Sequence, residues 1–419
     1  MKVAIISKSD KNSGGASKVA EDLDFWLDDA GYSTDHFIAF AVNEREIPFQ
    51  RKLYGIGSKA TFCKQIHKFT NRLGFRELLP AEYWFNLSQV IDDYDVIHFH
   101  DLFTAISPIT LALVARRRPT FFTVHDCSAF TGGCLYPMEC EKFTSYCHQC
   151  PQLEQNTWKQ RVRDRTREIQ AIKRYITKKF DIHYVFPSNW IAEQAKLALE
   201  FKVAPVVIPN GIDLLPFAFK NKLEAKASFG IAENRKVIVI SALSLNDDRK
   251  GAKYAIDAVK SVIDLNPVVI TVGKSSPEVK QSLHDFEVME MGFIGDTNLM
   301  AKVLSASDIM LFCSTADNLP LTILEAMAAS TVIVGFSTGG VPDMIQSGHN
   351  GILVEPRNQD ALNLALRETI LSNSLEAMGK QARLDVENNF SKSIFLETHL
   401  QMYRNALSSY PIANNEIIR

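Results

Sequence analysis

Short β-branched and aromatic runs alternate with amphipathic stretches along almost the whole of this 419-residue chain. Runs of about five residues that are apolar on both faces suit buried parallel strands, and the amphipathic segments between them suit helices covering such a sheet. The pattern predicts strands over residues 3–7, 34–41, 96–100, 120–125 and 183–187, and a helix over 16–30. A second series follows Asn210, with strands over 236–243, 268–272, 309–313, 331–335 and 351–354 and a helix over 252–263. Alternation of this kind implies βαβ units and parallel sheets. No repeat of solenoid period interrupts it. The turn-forming Pro209-Asn210-Gly211 lies at the midpoint, and the domain boundary is placed there. The expected architecture is α/β, with two doubly wound, Rossmann-like domains, 1–210 and 211–390, facing each other across a cleft. A last amphipathic helix, 391–407 within the segment 391–419, has no strand to follow and is expected to cross back to the first domain. Open sheets bind ligands beyond the C-terminal ends of their strands, which already favours a nucleotide-type ligand.

Composition narrows the class. The length suits two domains, and 46% hydrophobic with 22% charged residues is ordinary for a globular chain. No apolar run approaches the ~18 residues of a membrane span; the longest, 104–115, is broken by Ser107 and Pro108. The N-terminus reads as a first strand entering a loop, not as a leader peptide. The chain is therefore expected in the cytoplasm, with access to the inner face of the plasma membrane. The net charge of −2 divides into +3 for the first 210 residues and −5 for the rest, and neither half is basic enough to suggest nucleic acid. Residues 158–180 do concentrate Lys159, Arg161, Arg163, Arg165, Arg167, Lys173, Arg174, Lys178 and Lys179 against only Asp164 and Glu168. That stretch suits either a solvated helix face or an anionic membrane surface.

The segment Asp317-Asn-Leu-Pro-Leu-Thr-Ile-Leu-Glu325-Ala-Met-Ala holds the most chemistry. A strand leads into a loop, and a helix is expected to start near Leu319 or Pro320. Backbone N–H groups between Asn318 and Leu321 would then be unpaired and able to meet an anion or a sugar hydroxyl. The carboxylates of Asp317 and Glu325 suit ribose and hexose diols; taken singly, each could equally be a helix cap or a solvated acid. Gly14-Gly15, after the first strand, permits close approach of a phosphate. His125 and His100 end neighbouring strands. Arg249 and Lys250 form a basic pair in a loop after the first strand of the second half.

Together these segments resemble the retaining glycosyltransferases of family 4, which have the GT-B fold. The likeness extends through Ser13-Gly14-Gly15-Ala16, Ile208-Pro209-Asn210-Gly211-Ile212-Asp213, Gly339-Gly340-Val341-Pro342-Asp343-Met344-Ile345 and Gly348-His349-Asn350-Gly351-Ile352-Leu353-Val354. It is strongest toward transferases of bacterial exopolysaccharide, capsule and O-antigen pathways. It implies a donor-binding second domain and an acceptor-side first domain. The donor would be a nucleotide-diphosphate sugar, and the acceptor a saccharide, carried on a lipid by analogy with the polysaccharide branch. The resemblance further implies that Glu325 grips the nucleotide ribose and Asp317 the transferred sugar. Gly292, Phe293 and Ile294 would frame the base, and backbone groups from Asn318 through Leu319, Pro320 and Leu321 would hold sugar and phosphate. His125 would contact the sugar and His100 the acceptor. No metal cofactor is implied for catalysis. Two departures stand out: the first acid is Asp317 where the family usually has Glu, and Ser241-Ala242-Leu243 stands where an Arg commonly partners the lysine matched by Lys250. Arg249, Lys250 or both would then neutralise the leaving diphosphate. Two rival readings remain, a GT-B nucleotide-sugar epimerase and a non-catalytic nucleotide-sugar-binding subunit.

Seven cysteines are present, and four cluster as Cys134-x5-Cys140-x6-Cys147-x2-Cys150. The cluster is open to a structural zinc, to reduced thiols or to disulfides. Cys63 and Cys313 read as packed core residues.

Overall fold

The computed structural model describes residues 1–10, 14–41, 50–154, 164–217, 222–245, 247–274 and 276–410. They form two compact units: Met1–Ile208 joined by the chain from Phe395 onward, and Pro209–Ile394. The last helix, Lys392–Ser409, begins in the second unit and continues in the first.

The first unit is built on seven strands: β1 (Lys2–Ser9), β2 (Ser33–Phe40), β3 (Gln50–Lys52), β4 (Val96–His100), β5 (Thr120–Thr123), β6 (Ile182–Phe186) and β7 (Val206–Val207). They lie in the order β3-β2-β1-β4-β5-β6-β7, and every pairing is parallel. The second unit has six: β8 (Val237–Ser244), β9 (Val268–Lys274), β10 (Glu287–Gly292), β11 (Ile309–Phe312), β12 (Val332–Phe336) and β13 (Gly351–Val354). Their order is β10-β9-β8-β11-β12-β13, again all parallel. Both orders reverse once, between β1 and β4 and between β8 and β11. Ligands of doubly wound sheets collect beyond the strand ends at such a reversal.

The central strands behave as the hydrophobic pattern requires. Every residue of β4, β11 and β12 is buried, because helices cover both faces of a parallel sheet. Most differences from the pattern lie at element ends. β5 stops at Thr123 instead of His125, and the helix Ala252–Lys260 ends in a separate turn at Ile263–Leu265. The edge strands β3 and β7 are two or three residues long, too short for a periodicity to register. β10 is an edge strand with a half-exposed alternation, so it lacks the continuous apolar run. Among the described residues no helix is long and apolar enough to cross a membrane.

Close backbone contacts fix the C-terminal edge of the second sheet. A Cβ on Gly251 would stand 1.9 Å from the Cys313 carbonyl oxygen, one on Gly335 2.1 Å from that of Phe312, and one on Gly339 1.8 Å from that of Asp317. Gly251 and Gly339 also adopt left-handed φ values of 66° and 56°, so both space and dihedral demand glycine. Gly348 is left-handed as well (φ 83°) but has nothing within 4 Å of its would-be Cβ. Gly339→Ala is therefore expected to cost more stability than Gly348→Ala. Backbone strain of about 1–2 kcal/mol applies to both, and overpacking adds roughly 1–3 kcal/mol only at Gly339. Denaturant midpoints of the two variants measure the difference; equal losses would contradict it.

Among the described residues five histidines are buried in the first unit: His36, His67, His98, His100 and His399. His36 on β2 sits 2.7 Å from the Ser7 hydroxyl, and His98 on β4 lies between the Tyr403 hydroxyl at 2.5 Å and Thr123 Oγ1 at 2.7 Å. His399 of the last helix stacks on His98 with ring centroids 5.6 Å apart. Burial lowers His36 to about 3 and His399 to about 4. Burial, with His399 and His125 nearby, holds His98 well below its ordinary value. Unfolded imidazoles titrate near about 6.5, so unfolding takes up protons below that pH. The stability conferred by the neutral rings is complete above about pH 6.5 and is lost as pH falls toward 4, at up to about 1.4 kcal/mol per pH unit per ring. Denaturation followed by probes in the first unit should show this steep decline; a flat profile from pH 7 to 5 would contradict it.

Candidate functional site

In the second unit the reversal between β8 and β11 brings together two of the predicted segments. After β8, Asp247 caps a tight turn by accepting from the Arg249 N–H (3.0 Å), and the turn presents Arg249 and Lys250. After β11, the loop from Cys313 leads to the helix Leu321–Ala328. The close approach at Gly251 lets the loops clasp each other: the Thr315 N–H donates to the Arg249 carbonyl (2.8 Å), and the Arg249 guanidinium donates to the Ala316 carbonyl (2.8 Å). Lys250 Nζ donates to Asp317 Oδ2 at 2.6 Å, with Arg249 Nη1 3.8 Å from the same oxygen and the Ser314 hydroxyl donating to it at 3.3 Å. Asp317 Oδ1 accepts from the Asn318 N–H at 3.2 Å. Two cations and one buried carboxylate thus share the sheet's reversal point.

The helix starts slightly later than the sequence implies. Pro320 has extended backbone (ψ 125°) and is the cap, so Leu321 is the first helical residue. Asn318, Leu319 and Pro320 are buried in the preceding loop, and Leu321 is half-buried. The Leu319 carbonyl accepts from Asn210 Nδ2 at 3.0 Å. Glu325, half-buried, stands one turn into the helix. Two buried side-chain oxygens at this edge, Asn210 Oδ1 and Thr338 Oγ1, lack a partner among the described residues. Asn210 lies in a segment that carries the family resemblance, and Thr338 directly precedes another, the one that begins at Gly339. Gly292 ends β10 with φ 62°, Phe293 is exposed and Ile294 half-buried. They occupy the far edge of the sheet from β11.

In the first unit Gly14, exposed with φ 138°, precedes the helix that Gly15 begins, on the β1 side of that sheet's reversal. Ser13 lies outside the described residues. His125 follows β5 and is partly exposed, with His100 Nδ1 3.0 Å from its Nε2. His100 itself is 0% exposed, enclosed at the end of β4 beside His125, and its Nε2 has no partner among the described residues. Burial lowers His125 to about 3 and, with His98 and His125 adding to it, holds His100 well below its ordinary value. Both rings are neutral, so one must donate to the other. The sequence reading passed over Asp101, which follows β4 with a left-handed φ of 50°. Burial and the neighbouring Asp126 raise it to about 7, and Lys8 partly offsets them. Its position directly after His100 was the available signal.

Of the described cations in the basic stretch, Lys173 and Arg174 are half-buried and bonded within the fold, while Arg165, Arg167, Lys178 and Lys179 are exposed. Lys173 donates to the Ser128 and Thr131 carbonyls (2.6 and 3.1 Å), Arg174 to those of Phe143 and Thr144, and Lys178 pairs with Glu200. Trp158, Lys159, Arg161 and Arg163 lie outside the described residues.

Two family models match the chain, Glycosyltransferase Family 4 over residues 13–214 and Glycosyl transferases group 1 over 234–372. An uncharacterised glycosyltransferase of Methanocaldococcus jannaschii is 24% identical over 76% of this chain and 77% of its own length. The colanic acid biosynthesis glycosyl transferase WcaC of Escherichia coli K12 is 22% identical over 77% and 74%. The Escherichia coli UDP-Gal:alpha-D-GlcNAc-diphosphoundecaprenol alpha-1,3-galactosyltransferase is 26% identical over 44% of this chain and half of its own. Among solved structures, sucrose-phosphate synthase from Thermosynechococcus elongatus superposes with TM-score 0.68 at 17% identity, covering 98% of this chain and all of that one. Anabaena HepE in complex with UDP gives 0.66 at 17%, covering 97% and 100%. The matched family models and the shared fold place this chain in the group 1, family 4 glycosyltransferases with the GT-B fold.

Proposed function

We propose that the chain transfers a sugar, with retention of anomeric configuration, from a nucleoside-diphosphate sugar to a saccharide acceptor on a lipid carrier, in assembly of a bacterial surface polysaccharide. The observation that carries this reading is the Lys250–Asp317–Arg249 cluster at the reversal point of the second sheet. The lipid-linked acceptor is supported by the galactosyltransferase relative, which is named for a diphosphoundecaprenol-linked substrate. The polysaccharide setting is supported by WcaC.

In this reading Asp317 holds Lys250 in place until the donor arrives, and the diphosphate then competes for its ammonium. Bond breaking between the sugar carbon and the phosphate oxygen moves charge onto the diphosphate. Lys250 and Arg249 stabilise that charge, which is where a preorganised cation lowers the barrier most. The acceptor hydroxyl attacks the face the diphosphate leaves, and its proton passes to the departing phosphate oxygen. Glu325 accepts from the ribose hydroxyls, Asp317 from the transferred sugar, and Asn210 and Thr338 supply further polar contacts to the donor. His125, neutral and oriented by His100, is the first unit's own candidate for a sugar contact. The chain acts at the cytoplasmic face of the membrane that carries its acceptor.

Lys250→Ala should lower kcat by about 10²–10³-fold, and the double variant with Arg249→Ala should be worse. The exposed Lys253 gives a control, since Lys253→Ala should leave turnover unchanged. A double variant within twofold of wild type would place the phosphate contact elsewhere. Glu325→Ala should weaken nucleotide binding by roughly 10–100-fold, the worth of a charged hydrogen bond; unchanged titration calorimetry would remove its ribose role. NMR of the product's anomeric proton tests retention.

A further inference from the structure

Between β5 and β6 the chain makes a long excursion, and the four clustered cysteines all lie in it. Cys134, Cys140, Cys147 and Cys150 line one small pocket, together with Gly132, Gly133, Lys142, His148 and Thr166. All four are half-buried free thiols, unlike the fully buried Cys63, Cys127 and Cys313. Their backbones are individually anchored. The Cys147 N–H donates to Gln170 Oε1 (2.8 Å) and the Cys150 N–H to Asp164 Oδ2 (3.0 Å), while the Thr131 hydroxyl donates to the Cys134 carbonyl (2.8 Å). The Gly132 N–H points at Cys147 Sγ (3.2 Å), the kind of donor that stabilises a thiolate. Met138 and Gln149 take left-handed φ values of 56° and 42° just before Cys140 and Cys150. Each costs about 1–2 kcal/mol for a residue with a Cβ.

We propose that these four cysteines form a closed, four-thiolate metal centre of the zinc class. Binding exchanges four thiol protons for one divalent ion and leaves a site of charge −2. Lys142, in the pocket wall, and Lys173, held at the Ser128 and Thr131 carbonyls, lie on hand to offset that charge. Gly132 and Gly133 also line a neighbouring apolar pocket with Leu102, Phe103 and Ile106, beyond the end of β4. The metal would therefore fasten one wall of that pocket, and no step of the transfer reaction passes through it.

A second group competes for the ion. Cys63, His67 and Glu82 are, among the described residues, the one set of three ligand-type atoms mutually within 4.8 Å, so the four sulphurs must draw inward on binding. In the tighter set Glu82 already accepts from the Ser107 N–H (2.8 Å), the Thr110 hydroxyl and the His67 ring (3.1 Å), while His67 Nδ1 is buried without a partner among the described residues. A metal there would have to displace those bonds.

Elemental analysis of the full chain, purified without a histidine tag, should find about one zinc per chain. Thiol titration of the native protein should find these four protected until the metal is stripped. Cys147→Ser should lose most of the metal and Cys63→Ser should keep it. A metal-free wild type with four reactive thiols, a mass deficit showing disulfides, or metal lost from Cys63→Ser and kept in Cys147→Ser would each overturn the assignment. The wild-type result decides even if a variant fails to fold.

Discussion

The candidate donor site depends on how closely three loops can approach at the C-terminal edge of the second sheet. With no side chain at Gly251 or Gly339, the segments after β8 and β12 press against the backbone of the segment after β11. That contact lets Arg249 and Lys250 converge on Asp317, although 67 residues separate Lys250 from Asp317 in sequence. Charge attraction alone could not do this, because a flexible, solvated pair gains at most about 1 kcal/mol. Here the backbone fixes the geometry first and the charges occupy it. The ladder between β8 and β9 also slips between Ser241 and Ser244, at the positions where the family commonly carries its arginine. In this chain the two cations instead come from the single turn after that irregularity.

The first unit solves a different problem. It places His36, His98, His100 and His399 in a dry core, where each must remain neutral, and so fixes the ring that reaches the surface, His125. Such a network makes the rings rigid at the cost of acid stability, since every buried neutral imidazole favours the unfolded chain once protons are abundant. Asp101 and Asp126 lie at the same strand ends, and their mutual repulsion in a desolvated setting is a feature more usual at ligand sites than in structural cores.

Much of this was legible in the residues. The central strands of both sheets and their alternation with helices follow from local patterns, while the roles of Asp317 and Glu325 follow from the family resemblance. Edge strands such as β3, β7 and β10 escaped, because two or three residues carry no periodicity and a half-exposed strand resembles a loop. The burial of His100 could not be read either: a histidine at a strand end has the same sequence signature whether it faces solvent or a second histidine. Asp101 and Thr338 adjoin His100 and Gly339 in sequence, but what makes each a candidate, the neighbouring Asp126 for Asp101 and a buried unpartnered hydroxyl for Thr338, is visible only in the fold. The basic stretch shows the opposite limit, for charge composition cannot distinguish a free cationic surface from lysines and arginines bonded to carbonyls.

The central claim is that the second unit grips the donor by its diphosphate. Titration calorimetry of the full chain with a nucleoside and with the matching nucleoside diphosphate tests it most directly. The account predicts that the diphosphate binds far more tightly and that its affinity falls with rising salt, as charge contacts require. Equal affinity for the nucleoside and the diphosphate, insensitive to salt, would contradict it.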